Sequence, residues 1–146
     1  DPDDAVVATF TLRSEEGNER IAIARVSEAI AGLGLEPSRL ERLKTAVGET
    51  VMNAIEHGNH GDPDLDVDVV VSTSDLAVKV RVTDKGGDGE IPEAATPDLE
   101  AKLAGEQTPR GWGLFLIGQM VDEVNRHRFN GTHTVELVMN KKGAEG

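Results

Sequence analysis

Cysteine is absent from the 146 residues, which excludes disulfides, thiolate zinc sites and cysteine nucleophiles. Tyrosine is absent as well, tryptophan occurs once and aromatics make up 3% of the chain, so a core must rest on Val, Leu, Ile and Ala. Positive charge is scarce: 15 Lys and Arg stand against 27 Asp and Glu, a net charge of −12. Such a surface repels phosphate backbones and anionic lipid, which argues against nucleic-acid or peripheral membrane binding as the main role. No apolar run reaches the ~18 residues of a membrane span, and no signal-peptide pattern opens the chain. The expectation is a soluble cytoplasmic protein with one domain over 1–146, because domains cluster at roughly 100–150 residues. The acidity leaves a question. Any anionic ligand needs a local neutraliser.

What is present reads as an alternation of elements. VVATFTLR (6–13) is rich in β-branched residues and predicts a strand. A helix is expected from about Asn18 through Ala22, Val26 and Ile30 to the Gly32/Gly34 stop. A second starts near Pro37 and carries Leu40, Leu43, Val47, Val51 and Ile55 as its apolar stripe. DLDVDVVVS and LAVKVRVTD alternate like strands and read as a hairpin. Residues 85–110 combine Gly, Pro and charge with little periodicity beyond a possible short helix at 97–103, and a stretch this long is usually functional. GLFLIGQMVDEV predicts a helix and THTVELVMN a last strand. The order β-α-α-β-β-loop-α-β predicts an α/β fold of the α+β two-layer kind, a mostly antiparallel mixed sheet with helices on one face.

Three segments carry chemistry. At ~100° per residue, Glu49, Asn53 and His57 span about 80° of helix surface, roughly 130° from the apolar stripe. An amide oxygen suits Mg²⁺, and a carboxylate one turn earlier suits activation of an attacking hydroxyl. A solvated helix face has the same pattern, and His57 also fits a helix end favoured by the dipole. In LAVKVRVTD, parity puts Asp84 on the Val78, Val80, Val82 face, where a carboxylate must find a donor such as an adenine amino group. An Asp-initiated surface turn is the plainer alternative. Gly86, Gly87 and Gly89 follow, permitting close backbone approach. Arg110, Gly111 and Gly113 precede an apolar helix, a phosphate-binding pattern, or else an entry turn anchored by Trp112. No G-x-x-x-x-G-K-[ST] occurs, so a P-loop is excluded.

Taken in order, E-T-V-M-N-A-I-E-H-G (49–58), V-T-D-K-G-G-D-G (82–89) and R-G-W-G-L-F-L-I (110–117) resemble the Bergerat ATP-binding fold shared by gyrase and histidine kinases. The chain is most similar to the bacterial anti-sigma-factor serine kinases, over nearly its whole length. The resemblance implies ATP and Mg²⁺ as cofactors, with Asn53 on the metal and Glu49 as base toward a substrate serine. It implies Asp84 on the adenine amino group, Gly86 shaping the pocket, and His57 and Gly89 among the nucleotide-binding positions. Residues 88–110 would form an ATP lid, and Arg110, Gly111, Trp112, Gly113, Leu114 and Phe115 would wrap the phosphates. Thr134 matches a Thr that touches adenine through water in relatives, although its parity is opposite to Val135, Leu137 and Met139. Arg25 matches an Arg presented to partners. The implied partners are a sigma factor of RNA polymerase, an anti-anti-sigma protein as phosphorylation substrate, and a second copy in a homodimer. Where the family often reads D-x-G-x-G, Asp88 replaces the second Gly and adds negative charge near the triphosphate. Two other functions remain open: a nucleotide-binding regulatory module without phosphotransfer, and a switch-type kinase acting on a scaffold regulator.

Overall fold

Alternating valines build the sheet. The computed structural model describes residues 4–86 and 110–142, without the side chains of 110–114. Its elements are β1 (Ala5–Arg13), α1 (Glu19–Ile30), α2 (Pro37–Asn53), a π turn (Ala54–Gly58), β2 (Asp66–Thr73), β3 (Ala77–Asp84), α3 (Arg110–Met120), β4 (Glu123–Phe129) and β5 (Thr132–Asn140). The strands lie in the order β1-β2-β3-β5-β4.

Register sets the inner face. Phe10, Val69, Val82 and Val135 form one row across the three pairings that join β1, β2, β3 and β5, and Ala8, Val71, Val80 and Leu137 form the next. Apart from the partly covered Ala8, all of these are buried. Onto this face α1 lays Ala22, Val26 and Ile30, α2 lays Leu43, Ala46, Val47 and Val51, and α3 adds Ile117. Each fully buried aliphatic side chain stabilises by about 1.5–3 kcal/mol. The opposite face is polar: Arg81 Nε meets Glu136 Oε2 at 2.8 Å, Asn125 Nδ2 donates to Glu136 Oε1 at 3.1 Å, and Lys85 Nζ meets Asp68 Oδ2 at 2.6 Å. One face packed and one face solvated is the antiparallel pattern, and the architecture is the α+β two-layer sandwich.

Arg39, 9% exposed, ties the start of α2 to the far end of the sheet. Its Nη1 lies 3.1 Å from Asp122 Oδ2 and 3.2 Å from Met139 Sδ, while Nε faces Glu36 Oε1 at 3.5 Å. Asp122 Oδ2 also accepts the Asn140 N–H at 2.7 Å.

Two expectations are corrected. The sheet is not mixed, since every described pairing is antiparallel. The helix expected to run through residue 124 ends at Met120, and Glu123–Phe129 is a fifth strand. Its sequence, EVNRHRF, lacks apolar alternation because it is an edge strand. The Asn130–Gly131 turn, with φ of 48° and 78°, folds it onto β5, the conformation that suits the twist of a tight hairpin. Among the described residues no helix is long and apolar enough to cross a membrane.

Candidate functional site

Asp84 ends the inner row of β3 and is 3% exposed. A buried carboxylate needs donors, and two are present. Gly86 N–H donates to Oδ1 at 3.1 Å, and His133 Nδ1, on the paired position of β5, lies 3.2 Å from Oδ2.

The end of α2 is brought against this pair by a change of helix type. From Ala54 the helix widens to a π turn, closed by Asn59 N–H to Ala54 O at 2.8 Å. Gly58 therefore sits on the Asp84 carboxylate, where a Cβ would occupy the carboxylate's own space. Gly86 in turn lies on Gly58, and a Cβ there would enter the Gly58 carbonyl. Neither glycine has positive φ, so space and not conformational freedom demands them. Asn59, fully buried, locks the junction. Its Nδ2 donates to Ser14 Oγ at 2.8 Å and Asp66 O at 3.1 Å, and its Oδ1 accepts the Lys85 N–H at 2.7 Å. π turns inside α-helices are rare and concentrate at functional sites.

Thr50, Asn53, Ala54, Val82, Asp84, His133 and Val135 line a pocket between α2 and the sheet. It is narrow, leaving about 10 Å³ to the centre of a water-sized sphere, enough for one water. Its walls are partly aliphatic. Two of its buried polar atoms, Asn53 Nδ2 and His133 Nε2, have no hydrogen-bond partner. Buried polar atoms are nearly always satisfied, so two orphans at one cavity call for a water or a polar ligand there. Among the described residues no cluster of three or more His, Cys, Asp or Glu exists to cage a metal ion. A divalent ion here would have to draw its other oxygens from a ligand or from water, the habit of Mg²⁺.

The structure brings some of the expected residues together and separates others. Asn53 and Asp84 line the pocket, and Gly86 lies beside it. Glu49 is half-buried on α2, one turn before Asn53. His57 is exposed and is not part of the lining, because the π turn breaks the α-helical phase that would have stacked it on Asn53. Thr134 points to the opposite face of the sheet, where its Oγ1 lies 2.8 Å from Thr83 Oγ1. The position facing the pocket belongs to its neighbour His133, which sequence reading passed over. Arg25 is exposed on α1 with its guanidinium 4.6 Å from the Phe10 ring centroid. Arg110, Gly111, Trp112, Gly113 and Leu114 form the first turns of α3, followed by the half-buried Phe115. Gly89, Asp88 and the rest of the proposed lid before Arg110 lie outside the described residues. His133, Gly58 and Asn59 are the residues that sequence reading missed. For His133 the signal was strand parity, which it shares with Val135 and Leu137.

Comparison with known proteins gives consistent results. Residues 12–141 match the family described as the histidine kinase-like ATPase domain. The chain is 36% identical over 116 residues to the anti-sigma F factor of Geobacillus stearothermophilus, covering 79% of this chain and 77% of that one. It is 33% identical over 123 residues to the anti-sigma F factor of Anoxybacillus flavithermus, covering 83% of each. A crystal structure of the RsbU and RsbW domains of a Mycobacterium tuberculosis protein superposes with a TM-score of 0.66 at 23% identity, covering 94% of this chain and 33% of that longer one. That likeness speaks for the fold.

Proposed function

The chain belongs to the histidine kinase-like ATPase domain family, on its anti-sigma-factor branch, and from that premise we propose that it is an ATP-dependent protein serine kinase that also sequesters a sigma factor. The observation that carries the nucleotide reading is the pocket itself. A buried carboxylate, Asp84, and two orphaned polar atoms, on Asn53 and His133, face a cavity with aliphatic walls. That is a donor–acceptor set suited to the polar edge of a heterocyclic base, in a cavity that as it stands has room for one water.

In this reading Asp84 accepts from the adenine amino group, with Gly58 and Gly86 allowing the close approach around it. Asn53 presents its amide oxygen to Mg²⁺, which when bound neutralises phosphate charge. Glu49, one helical turn earlier, takes the proton of a substrate serine hydroxyl. The start of α3, with Arg110 through Leu114, supplies N–H groups and a dipole end to the phosphates. The metal and the helix end supply the local neutraliser that a chain of net charge −12 needs. The family premise supports an anti-anti-sigma protein as the serine substrate, a sigma factor as the sequestered partner, a homodimer as the assembly and the cytoplasm as the setting.

The test is to combine the protein with ATP, Mg²⁺ and a cognate anti-anti-sigma protein and to follow serine phosphorylation by mass spectrometry. Phosphoserine with wild type and its loss in Glu49→Ala are expected. No phosphoserine with wild type, or full activity in Glu49→Ala, refutes the kinase reading. Retention of a sigma subunit by the immobilised protein tests sequestration, and failure to retain any sigma subunit refutes it. ATP affinity should fall sharply in EDTA, and undiminished binding there contradicts the proposed metal.

A further inference from the structure

The two edges of the sheet are built differently. β4 carries Glu123, Arg126, His127 and Arg128 within seven residues, and charges of this kind blunt an edge against pairing with another chain. β1, the opposite edge, is the longer of the two at nine residues and has neither charge nor proline from Ala5 to Leu12. Its β-branched Val6, Val7, Thr9 and Thr11 favour strand pairing. A bulge at Val7 interrupts its start, but Ala8–Arg13 run in unbroken register against β2. Among the described residues no strand pairs with the outer side of that stretch.

The helix beside this edge is apolar as well. Ile23 of α1 lies against Gly48 of α2, and Ile21 is ~200° around the helix from it. Ile21 is therefore turned away from α2, ~40° from Arg25, which covers the Phe10 ring of β1. Val6, Val7 and Ile21 are 63%, 42% and 47% exposed, three of the five large apolar side chains left exposed among the described residues. Exposed apolar surface thus concentrates at one edge, the one without charge.

We propose that β1 pairs antiparallel with β1 of a second copy across a two-fold axis, joining two five-stranded sheets into one, with Ile21 of each α1 packed across the seam. This rests on the homodimer reading above and gives it a surface. A two-fold strand pair brings residues near the axis close to their own copies. Between Ala8 and Leu12 that confronts no like charges, whereas the same arrangement on β4 would set Arg126 and Arg128 against theirs. Registers centred on Thr9, Phe10 or Thr11 keep Ala8, Phe10 and Leu12 on the helix-covered face of both strands.

The experiment is sedimentation equilibrium of the intact protein, comparing wild type with Thr9→Lys and His127→Lys, each an exposed position on one edge strand. Wild type should dimerise, and Thr9→Lys should weaken the dimer about tenfold through like charges at the axis. His127→Lys should leave it at wild-type strength. A dimer unaffected by Thr9→Lys, or one weakened only by His127→Lys, overturns the proposal. A wild type that stays monomeric at every concentration refutes the homodimer reading first, and this inference falls with it. Hydrogen exchange needs no variant. The Ala8–Leu12 amides that point away from β2 should exchange about tenfold more slowly in the dimer than after dilution to monomer. Equal rates overturn the proposal even if the protein dimerises.

Discussion

Gly58→Ala should unsettle this protein through one carboxylate, and a double-mutant cycle with Asp84→Ala isolates the effect. The new Cβ would fall within the Asp84 carboxyl group. Because Gly58 has an ordinary negative φ, backbone strain contributes nothing. The cost has two parts. Forcing the carboxylate aside is an overpacking penalty of about 1–3 kcal/mol. Moving it strips the Gly86 N–H and His133 Nδ1 of their acceptor, and leaving such buried groups unpaired adds about 1–3 kcal/mol. A destabilisation of ~3 kcal/mol is expected for Gly58→Ala alone, inside those ranges. In an Asp84→Ala background the clash is gone, and Gly58→Ala should be neutral or stabilising by up to ~1 kcal/mol, the helix-propensity gain of Ala over Gly. The coupling energy is then ~3 kcal/mol, far outside the ~0.5 kcal/mol within which independent sites add. Urea unfolding without nucleotide, with m unchanged across the four proteins, measures it directly. Additivity within ~0.5 kcal/mol would refute the claim that Gly58 is glycine because of Asp84.

Other expectations follow from the same packing. Asn59→Ala removes the buried amide that joins Ser14, Asp66 and Lys85. It should cost about 2–3 kcal/mol in urea and speed hydrogen exchange at the Lys85 amide, and a loss below ~0.5 kcal/mol would contradict it. Asp122→Ala strands Arg39 and frees the Asn140 N–H. A loss of about 2–3 kcal/mol is expected, below the usual range for a buried pair because Asp122 is partly exposed and Glu36 remains nearby. Arg39→Met in that background should recover part of it. Acid sensitivity has a defined source on the outer face. Burial favours the protonated form of Glu136, but hydrogen bonds from Arg81 and Asn125 and the charges of Arg81 and Lys79 outweigh it and hold its pKa below the ordinary value of 4.5. A carboxyl depressed on folding stabilises above its unfolded pKa and loses that contribution as pH falls through its folded value. The stability gap between wild type and Glu136→Gln should therefore be full at pH 7 and shrink below about pH 4.5. A gap that does not change with pH would be the contrary result.

Local signals in the sequence were sufficient for the first two helices and the inner strands, but not for the end of α3. Pro37 at the start of α2, the stripe from Leu40 to Val51 and the alternation of Val78, Val80 and Val82 each express a period that one face of one element must bury. The same period put Asp84 on the inner face, where it is found buried. β4 was a different case. EVNRHRF lies at a sheet edge with few apolar positions to bury, so its periodicity is weak, although Asn130–Gly131 was a legible hairpin signal. His133 was legible in principle by parity with Val135, but the family resemblance pointed to Thr134, which pairs with Thr83 on the other face.

By itself, then, the sequence determined which residues had to be inside, that Glu49 and Asn53 lie one turn apart on the same helix, and that Asp84 ends the inner face of its strand. Only the tertiary structure decided how α2 meets the sheet. Its helix changes to a π turn at Ala54 because Gly58 must rest on Asp84 and Asn59 must reach Lys85, and that turn leaves His57 in solvent. The pairing of Asp84 with His133 likewise depends on the register of β3 against β5. Register and helix contact are set by packing between distant segments, 26 residues apart for Asn59 and Lys85 and 49 for Asp84 and His133, and no periodicity within one segment encodes them.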